Sequence, residues 1–220
     1  FLMEGGFPYA IGYGLTETSP LLAGATPGKT KIGSTGVAVE GVQLRIANAD
    51  PLTGEGEIQA KGLNVMRGYY KAPEITKEVF TEDGWFKTGD RGCFDKDNKL
   101  YIKGRIKTMI VGASGENIYP EEIESVINKM RFVMESLVIE KKGKLVAMIH
   151  LNMEEIEQNF KLMKSEAQQF MYDKADEILK EIQKKVNEEV NKFSRIQQVI
   201  LQPNPFEKTP TKKIKRFLYA

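Results

Sequence analysis

Hydrophobic and polar positions follow different patterns on the two sides of Gly104. Before Gly104, short apolar segments lie between glycine-rich turns, and Val42, Leu44 and Ile46 alternate with polar neighbours. An alternation with a period of two is typical of half-buried strands. Two further apolar runs within 93–102 flank a polar turn and predict a hairpin. We therefore expect small β structure in this half of the chain.

Helix and strand patterns alternate in the second half. Residues 108–111 predict a short strand, and Pro120 opens a helix, since proline suits the first helical position. The apolar runs 133–139 and 145–151 predict two strands joined by a polar turn, and 196–201 predicts a last strand. We expect an α+β fold in which a small C-terminal domain has a three-stranded sheet and helices.

The charged stretch 154–192 predicts two amphipathic helices with a break near Asp173. The apolar positions that recur at helical spacing are Ile156, Phe160, Met163, Ala167 and Phe170, followed by Ile178, Ile182, Val186 and Val190. Regular steps of four residues do not sustain a seven-residue repeat, so we expect a solvated helix face over a small core rather than a coiled coil.

Composition narrows the classes of function. The 220 residues carry 32 Lys and Arg against 30 Asp and Glu, so a net charge of +2 does not favour a nucleic-acid or polybasic membrane protein. A single cysteine, Cys93, excludes an internal disulfide framework and a cysteine-rich zinc site. A single histidine, His150, argues against a Ser-His-Asp mechanism. We expect structural roles for both residues.

Several features bear on compartment and length. No apolar run approaches the roughly 20 residues that a membrane span needs, and no signal peptide is visible. A single cysteine fits a reducing compartment, so we expect a cytoplasmic protein. The first residue is Phe1 rather than methionine, from which we expect a piece of a longer polypeptide.

Four glycine-containing segments carry polar side chains that suit phosphate or sugar. In segment 12–17, Gly14 allows a ligand to approach the backbone closely, and Tyr13 can stack on a base. Thr16 offers a hydroxyl group, and Glu17 offers the hard oxygen ligand that Mg²⁺ prefers. The alternative is a glycine turn with a threonine and a glutamate on the surface.

The next two segments offer a carboxylate and a cation. Asp90 can accept two hydrogen bonds from a vicinal diol such as a ribose, or it can be an ordinary turn aspartate. Arg105 can bind a ribose or a phosphate through its fork of donors. The glycines of 112–117 permit motion or insertion into a site, although an ordinary connecting loop has the same composition.

The fourth segment, 209–216, is basic. A lysine delivered from it to an anionic site would neutralise a phosphate and a carboxylate together, because an ammonium group is a compact charge on a flexible stem. One alternative is a solvated run of charge, which is the commoner meaning of such a segment. Another is a nucleic-acid binder that uses this tail, which the net charge does not favour.

In this order and spacing, the four segments resemble the adenylate-forming superfamily of acyl-CoA synthetases, luciferase-like enzymes and peptide-synthetase adenylation domains. The resemblance covers essentially the whole chain. Its motifs are Tyr-Gly-Leu-Thr-Glu at 13–17, Gly-Glu-Ile at 56–58, Gly68-Tyr69, Thr-Gly-Asp at 88–90, Gly104-Arg105 and the tail around Lys213. The resemblance implies a two-step ligation. A carboxylate attacks the α-phosphorus of ATP to give an acyl-adenylate and pyrophosphate, and the thiol of coenzyme A then displaces AMP.

The resemblance also implies roles for individual residues. At the nucleotide and its metal they are Tyr13 on adenine, Thr16 on phosphate, Glu17 on Mg²⁺ and Asp90 on the ribose diol, with Gly14 and Arg105 beside them. Lys213 is implied to assist adenylation, and Gly115 lies in the loop that enters the site for the thioester step. Residues 1–104 correspond to the C-terminal portion of a large domain, 105–107 to a hinge at Lys107, and 108–220 to a mobile lid domain.

The resemblance favours one subgroup. The family usually has glycine where this chain has Lys212, which leaves open whether Lys212 or Lys213 is catalytic, and the spacing to Ile214 favours Lys213. Three features resemble the long-chain type: the replacement of that glycine by Lys212, the sequence of 115–120, and the added helical residues at 154–192. We therefore expect a long-chain fatty acid–CoA ligase. The alternatives are an aryl or medium-chain acid ligase and a non-catalytic nucleotide-binding module.

Part of the family pattern does not occur in these residues. The phosphate-cradling loop, rich in Ser, Thr and Gly and ending in Lys, is absent from the sequence, as is the bulk of the acyl-binding domain. We expect the chain to work with an upstream domain of the same polypeptide and to be inactive alone. The expected partners are a fatty acid, ATP and coenzyme A, without nucleic acid. A fatty substrate is compatible with peripheral membrane contact.

Overall fold

The computed structural model describes residues 2, 4–112, 114–160 and 167–219, with the backbone alone at 160 and 167–171. The chain divides into two compact units, Phe1–Lys107 and Thr108–Ala220. Each unit has its own sheets and its own apolar core. The α+β class expected from the sequence is confirmed.

The first unit is built on antiparallel sheets. Its strands are β1 (Ile11–Gly14), β2 (Leu21–Ala25), β3 (Val37–Ala38), β4 (Val42–Ala47), β5 (Gly56–Gly62), β6 (Phe86–Phe94) and β7 (Leu100–Arg105). Strands β1 to β3 form one sheet, and β4 to β7 form a second in which each strand pairs with the next. Between β5 and β6 lies the short helix α1 (Pro73–Glu78).

Apolar side chains from both sheets share the core of this unit. Ala23, Ile58 and Leu100 are fully buried, and Leu44 and Ile46 pack against them. The strand predicted from the alternation around Leu44 is therefore confirmed. The predicted hairpin is confirmed as well, because β6 and β7 pair across the polar turn.

The second unit mixes strands and helices. Its strands are β8 (Ile110–Val111), β9 (Asn117–Ile118), β10 (Val133–Lys141), β11 (Lys144–Leu151) and β12 (Gln198–Leu201). Its helices are α2 (Pro120–Ile127), α3 (Met153–Phe160) and α4 (Ala167–Glu189). Strands β10 and β11 are antiparallel, and β12 joins β11 in parallel, which confirms the expected three-stranded sheet.

The expected helix break near Asp173 is wrong, because α4 continues through that residue. The segment contains neither glycine nor proline, and an aspartate inside a helix costs only a few tenths of a kcal/mol, about 0.7 at most. Ala175 and Ile178 keep the apolar face directed to the core across this point. Of the other expected helix positions, Met163 and the side chains of residues 160, 167 and 170 lie outside the described residues.

Two predicted strands are shorter than expected. Thr108 belongs to a 3-10 helix that precedes β8. Ile196 is not part of β12, which begins at Gln198. Its backbone N–H donates to Asn187 Oδ1, and its carbonyl accepts from the side chains of Gln183 and Asn187. Side chains of α4 thus satisfy the backbone of Ile196 in place of a neighbouring strand.

The two faces of the three-stranded sheet bury different parts of the unit. Alternate residues of a strand point to opposite faces. One face packs against α2 and α4, whereas the other, which includes Leu137 and Val146, packs against Phe206 of the C-terminal segment. Ile214 and Tyr219 extend that second cluster, and the Phe206 and Tyr219 rings meet edge to face at 5.1 Å. The basic tail is therefore attached to the sheet on both sides of Lys213.

Candidate nucleotide site

The segment from Gly14 to Pro20 is a tight turn that joins strands β1 and β2. A Cβ atom on Gly14 would lie 1.6 Å from the Pro20 carbonyl oxygen, so only glycine fits there. Thr18, which is buried, fastens the turn by accepting from Leu15 N at 3.0 Å and donating to Pro20 O at 2.6 Å. Sequence reasoning missed Thr18. The turn leaves Thr16 exposed at the start of a 3-10 helix.

Three of the expected site residues lie together in the first unit. The Tyr13 hydroxyl donates to Asp90 Oδ2 at 2.7 Å, and Arg105 Nε lies 3.3 Å from Asp90 Oδ1. Asp90 and Arg105 face each other because they are register partners in β6 and β7. Thr88 holds the backbone of Asp90 in place, since the Thr88 hydroxyl accepts from Asp90 N and donates to the Ile58 carbonyl. The result is a carboxylate held between a phenol and a guanidinium.

Burial sets the electrostatics of this trio. The Asp90 side chain is only 8% exposed, whereas the Arg105 side chain is 52% exposed. Burial, with the negative charge of Asp90 as the next cause, raises the pKa of Tyr13 well above its ordinary value. Tyr13 is therefore a neutral hydrogen-bond donor throughout the physiological pH range. The two carboxylate oxygens of Asp90 are acceptors of the kind that a diol requires.

Glu17 is held by a segment that follows β5. Its backbone carbonyl accepts from Met66 N at 2.7 Å, and its carboxylate Oε1 accepts from the Tyr69 hydroxyl at 2.9 Å. Tyr69 belongs to the Gly68-Tyr69 motif, but sequence reasoning gave it no role. Burial and the bond to Glu17 both raise the pKa of Tyr69, so it too stays a neutral donor.

The residues around Glu17 fit a magnesium ion that arrives with a nucleotide. Among the residues that the structure describes, no group of three or more His, Cys, Asp or Glu side chains could hold a metal by itself. Mg²⁺ is commonly held by one or two carboxylates together with substrate phosphates, and Glu17 offers one such hard oxygen ligand. The donor set therefore suits a metal–nucleotide complex better than a closed protein cage.

The loop that contains Gly115 is closed by its own backbone. Gly112 N donates to the Glu116 carbonyl at 2.8 Å, and Gly115 N donates to the Gly112 carbonyl at 3.0 Å. Gly115 has φ +84°, a left-handed conformation that glycine adopts readily. A Cβ on Gly112 would lie 2.0 Å from the Glu116 carboxylate. The turn between β8 and β9 therefore explains Gly115 through its left-handed conformation, whereas the flexible Glu116 side chain can move away from a Cβ at position 112.

The tail around Lys213 is a second tight turn. Thr209 N donates to the Lys213 carbonyl at 2.8 Å, and Lys213 N donates to the Thr209 hydroxyl at 3.2 Å. Lys212 lies in the left-handed region, with φ +61°. A left-handed turn position favours glycine, so the conformation of Lys212 explains why a glycine would suit this position. Lys213 itself is exposed.

A partly buried ion pair attaches this tail to the rest of the second unit. Arg216 donates through one terminal nitrogen to Glu124 Oε2, and Glu124 Oε1 accepts from Val138 N at 2.7 Å. Burial raises the pKa of Glu124, while the charge of Arg216 opposes that rise. Sequence reasoning missed this pair. The signal was a glutamate directly beside Ile123 on the apolar side of α2.

Family models match most of the chain. The model described as "AMP-binding enzyme" matches residues 3–70, and the one described as "AMP-binding enzyme C-terminal domain" matches residues 107–218. The second match alone covers half of the sequence. The chain belongs to the AMP-binding enzymes.

Relatives of this AMP-binding enzyme chain include ligases of long-chain fatty acids. A long-chain-fatty-acid–[acyl-carrier-protein] ligase of Arabidopsis thaliana is 32% identical over 93% of this chain and 30% of its own length. A long-chain-fatty-acid–CoA ligase of Mycobacterium bovis is 34% identical over 100% of this chain and 37% of its own length. The chain thus spans about a third of the length of these curated relatives.

A solved structure shows the same fold with nucleotide and metal. O-succinylbenzoate coenzyme A synthetase from Bacillus subtilis, in complex with ATP and magnesium ion, matches with a TM-score of 0.73 and 28% identity. The match covers 98% of this chain and 42% of that one. Its fold agrees with the adenylate-forming architecture expected from the motifs.

The other residues of the AMP-binding enzyme chain that the sequence analysis named are Lys107, His150 and Cys93. Lys107 is exposed in the 3-10 helix Ile106–Thr108, at the end of the first compact unit. His150 Nδ1 lies 2.9 Å from the Gln202 carbonyl, and Cys93 is half-buried in β6. Of the helices that the structure describes, none combines the length and apolar character needed to cross a membrane.

Proposed function

We propose that the chain is the C-terminal part of an AMP-forming acid–thiol ligase whose acid is a long-chain fatty acid and whose thiol is coenzyme A. The observation that carries the proposal is the Asp90 carboxylate held between Tyr13 and Arg105. A buried carboxylate suits the two hydroxyl groups of a ribose, because each of its oxygens can accept more than one hydrogen bond. The adjacent phenol ring offers an aromatic face for the base.

Each side chain of the proposed site has a physical task. Asp90 accepts hydrogen bonds from the ribose diol of ATP, and Arg105 adds donors on the same side. Thr16 donates to a phosphate oxygen, and Glu17 supplies a carboxylate oxygen to Mg²⁺. When bound, Mg²⁺ neutralises phosphate charge. The acid substrate is already ionised near neutral pH, so attack on the α-phosphorus needs positioning and charge neutralisation rather than a base.

The tail and the loop of the second unit act in successive steps of the proposed reaction. Lys213 neutralises the carboxylate and the α-phosphate together during adenylation, since its ammonium group is a compact charge. In the thioester step the loop that contains Gly115 takes its place. We assign residues 1–104 to the large domain, 105–107 to a hinge at Lys107, and 108–220 to the mobile lid. A hinge lets one cleft serve two steps with different catalytic groups.

The choice of a long-chain acid rests on two relatives that align over nearly the whole chain, both named as long-chain fatty acid ligases. An aryl or medium-chain acid is the second candidate, favoured by the structural match to the O-succinylbenzoate synthetase. The acceptor of one relative is an acyl carrier protein, so that thiol is the alternative to coenzyme A. A cytoplasmic location and peripheral membrane contact belong to the same proposal.

The proposal is tested by product analysis on the natural polypeptide that carries these residues. With ATP, Mg²⁺ and coenzyme A, we expect AMP and thioester from palmitate and oleate at higher kcat/KM than from octanoate or benzoate. The 220 residues alone serve as the paired sample, and we expect no thioester from them because the phosphate-cradling loop is absent. A preference for benzoate replaces the long-chain assignment with the aryl one. Nucleotide binding without AMP release from any acid replaces the ligase with a binding module.

A further inference from the structure

We propose that Tyr69 is a positioning residue that orients the Glu17 carboxylate for magnesium. This inference rests on the proposed function, because Glu17 meets a metal only if the chain binds a magnesium–nucleotide complex. Tyr69 lies 52 positions from Glu17 in the sequence, yet its hydroxyl donates to Glu17 Oε1 at 2.9 Å. The hydrogen bond occupies one carboxylate oxygen and leaves Oε2 as the oxygen available to a ligand.

The segment that carries Tyr69 holds Glu17 at two points. Besides the phenol, Met66 N donates to the Glu17 carbonyl at 2.7 Å, so the backbone and the side chain of Glu17 are both fixed by the same stretch. A residue whose backbone and side chain are both hydrogen-bonded has lost rotamer freedom before any ligand binds. Prior ordering of this kind lowers the cost of forming a geometrically demanding metal contact.

Tyr69 is itself fixed by the first turn of α1. Its backbone N–H donates to the Thr76 hydroxyl at 2.9 Å, and that hydroxyl donates to the Ala72 carbonyl at 2.8 Å. A Cβ on Gly68 would lie 2.5 Å from Thr76 Cγ2, so glycine is needed for this close approach. The chain therefore connects Glu17 to a helix through Tyr69 rather than to a free surface side chain.

Tyr70 provides a matched comparison in the adjacent position. Tyr70 is 87% exposed, whereas Tyr69 is 36% exposed. The Lys71 ammonium lies 5.3 Å from the centre of the Tyr70 ring, on the surface. Two neighbouring tyrosines thus differ in the one feature of interest, the bond to Glu17.

The experiment compares Tyr69→Phe, Tyr70→Phe and Glu17→Gln in the natural polypeptide that carries these residues. ATP binding is measured by titration calorimetry over a series of Mg²⁺ concentrations and in EDTA. Groups that hydrogen-bond a metal ligand typically contribute about 10- to 100-fold in metal affinity. We expect Tyr69→Phe to raise the Mg²⁺ concentration for half-maximal enhancement of ATP binding by about 10-fold or more. Binding in EDTA should not change, and Tyr70→Phe should match the parent.

The outcomes separate the inference from the proposed function. If Glu17→Gln abolishes the Mg²⁺ enhancement while Tyr69→Phe leaves it unchanged, the positioning role is wrong and the proposed function stands. If Glu17→Gln also leaves the enhancement unchanged, the magnesium role of Glu17 and the inference both fail. A loss of binding in EDTA on Tyr69→Phe would show a general structural role and overturn the inference. Thermal unfolding of each variant confirms that the protein remains folded.

Discussion

The Asp90 carboxylate shows at the residue scale how burial prepares a group for a ligand. Its side chain is 8% exposed, and it accepts from Tyr13 while it pairs with Arg105. Taking a carboxylate out of water is costly unless donors replace the water. Tyr13 and Arg105 supply such donors, which orient the Asp90 carboxylate in the folded chain.

We predict that Tyr13→Phe lowers the free energy of unfolding of the first unit by about 1.5–3 kcal/mol, the range for hydrogen bonds to charged groups. The change keeps the ring and removes only the donor to Asp90. Urea unfolding of the 220-residue chain, followed by the fluorescence of its single tryptophan, Trp85, reports on this unit. Tyr70→Phe is the control. Equal stability of Tyr13→Phe and the control would contradict the role given to the bond.

The same bond predicts a dependence on alkaline pH. The pKa of Tyr13 is raised in the folded protein above the ordinary 10.0, so near neutral pH the phenol is protonated in both the folded and the unfolded states. Above pH 10.0 the unfolded chain ionises first, and the free energy of unfolding falls as pH rises. Tyr13→Phe should therefore lose less stability than the parent between pH 9 and 11, roughly one unit on each side of that pKa. Parallel profiles would contradict this.

Lys212 shows the cost of a side chain in a glycine-like position. The left-handed conformation of a non-glycine residue such as Lys212 destabilises the folded state by about 1 kcal/mol or more. Glycine removes that strain, but it loses more backbone entropy on folding, which costs about 0.5–1 kcal/mol. We predict that Lys212→Gly leaves stability unchanged or raises it by up to about 1 kcal/mol. Thr211→Gly, in the same turn without a positive φ, should lower it. Hydrogen exchange of the Lys213 and Lys215 amides, which are bonded within this tail, measures both changes.

The C-terminal segment acts as an element because it is attached at several points. Arg216 reaches Glu124 on α2 and the Val138 carbonyl on β10, while Phe206 enters the core on the other face of the sheet. Lys213 lies between these attachments in the sequence. The anchors fix the tail while the Lys213 side chain stays exposed, which is compatible with the role proposed for it in adenylation.

We predict that Arg216→Ala destabilises the second unit by about 3 kcal/mol, the low end for removing one partner of a buried pair. The physical reason is that Glu124 would remain buried with its charge uncompensated. Far-UV circular dichroism during urea unfolding follows the helices α2 to α4 of this unit.

Lys215→Ala is the control for Arg216→Ala. Lys215 pairs with Glu207 at 3.3 Å on the surface, and exposed pairs contribute about 0–1 kcal/mol. The double variant Glu124→Gln with Arg216→Ala should recover part of the loss, since it removes the Glu124 charge; Glu121, 3.6 Å from Arg216, still loses its partner, so the recovery is incomplete. Equal effects of the Arg216 and Lys215 changes would contradict the anchoring role.

At the scale of the whole molecule, local pattern predicted the elements and missed their contacts. Two local patterns predicted strands correctly: the alternation around Leu44 and the turn signal within 93–102. Both patterns lie within a few residues of the structure that they specify. The break near Asp173 was wrong because an aspartate does not end a helix whose apolar face continues through Ala175.

The contacts of the candidate site are long-range, which is why the sequence alone did not predict them. Tyr13 and Asp90 are 77 positions apart, and their bond depends on how the two sheets of the first unit meet. Glu124 and Arg216 are 92 positions apart, on a helix and a tail that lie against the same sheet. A motif can name such residues one by one, but their partners follow only from the folded chain.

In the proposed adenylating ligase, Lys213 acts in the first step. The direct measurement compares both half-reactions in Lys213→Ala and Lys212→Ala variants of the natural polypeptide. We predict that Lys213→Ala slows adenylation, followed by acid-dependent ATP–pyrophosphate exchange, by about 100-fold or more, as for loss of a charge-stabilising group. Thioester formation from a preformed acyl-adenylate should stay within a factor of about two of the parent, because the proposed mechanism uses Lys213 only in adenylation. Lys212→Ala should retain both activities. Equal loss of both half-reactions, or full adenylation by Lys213→Ala, would contradict the account.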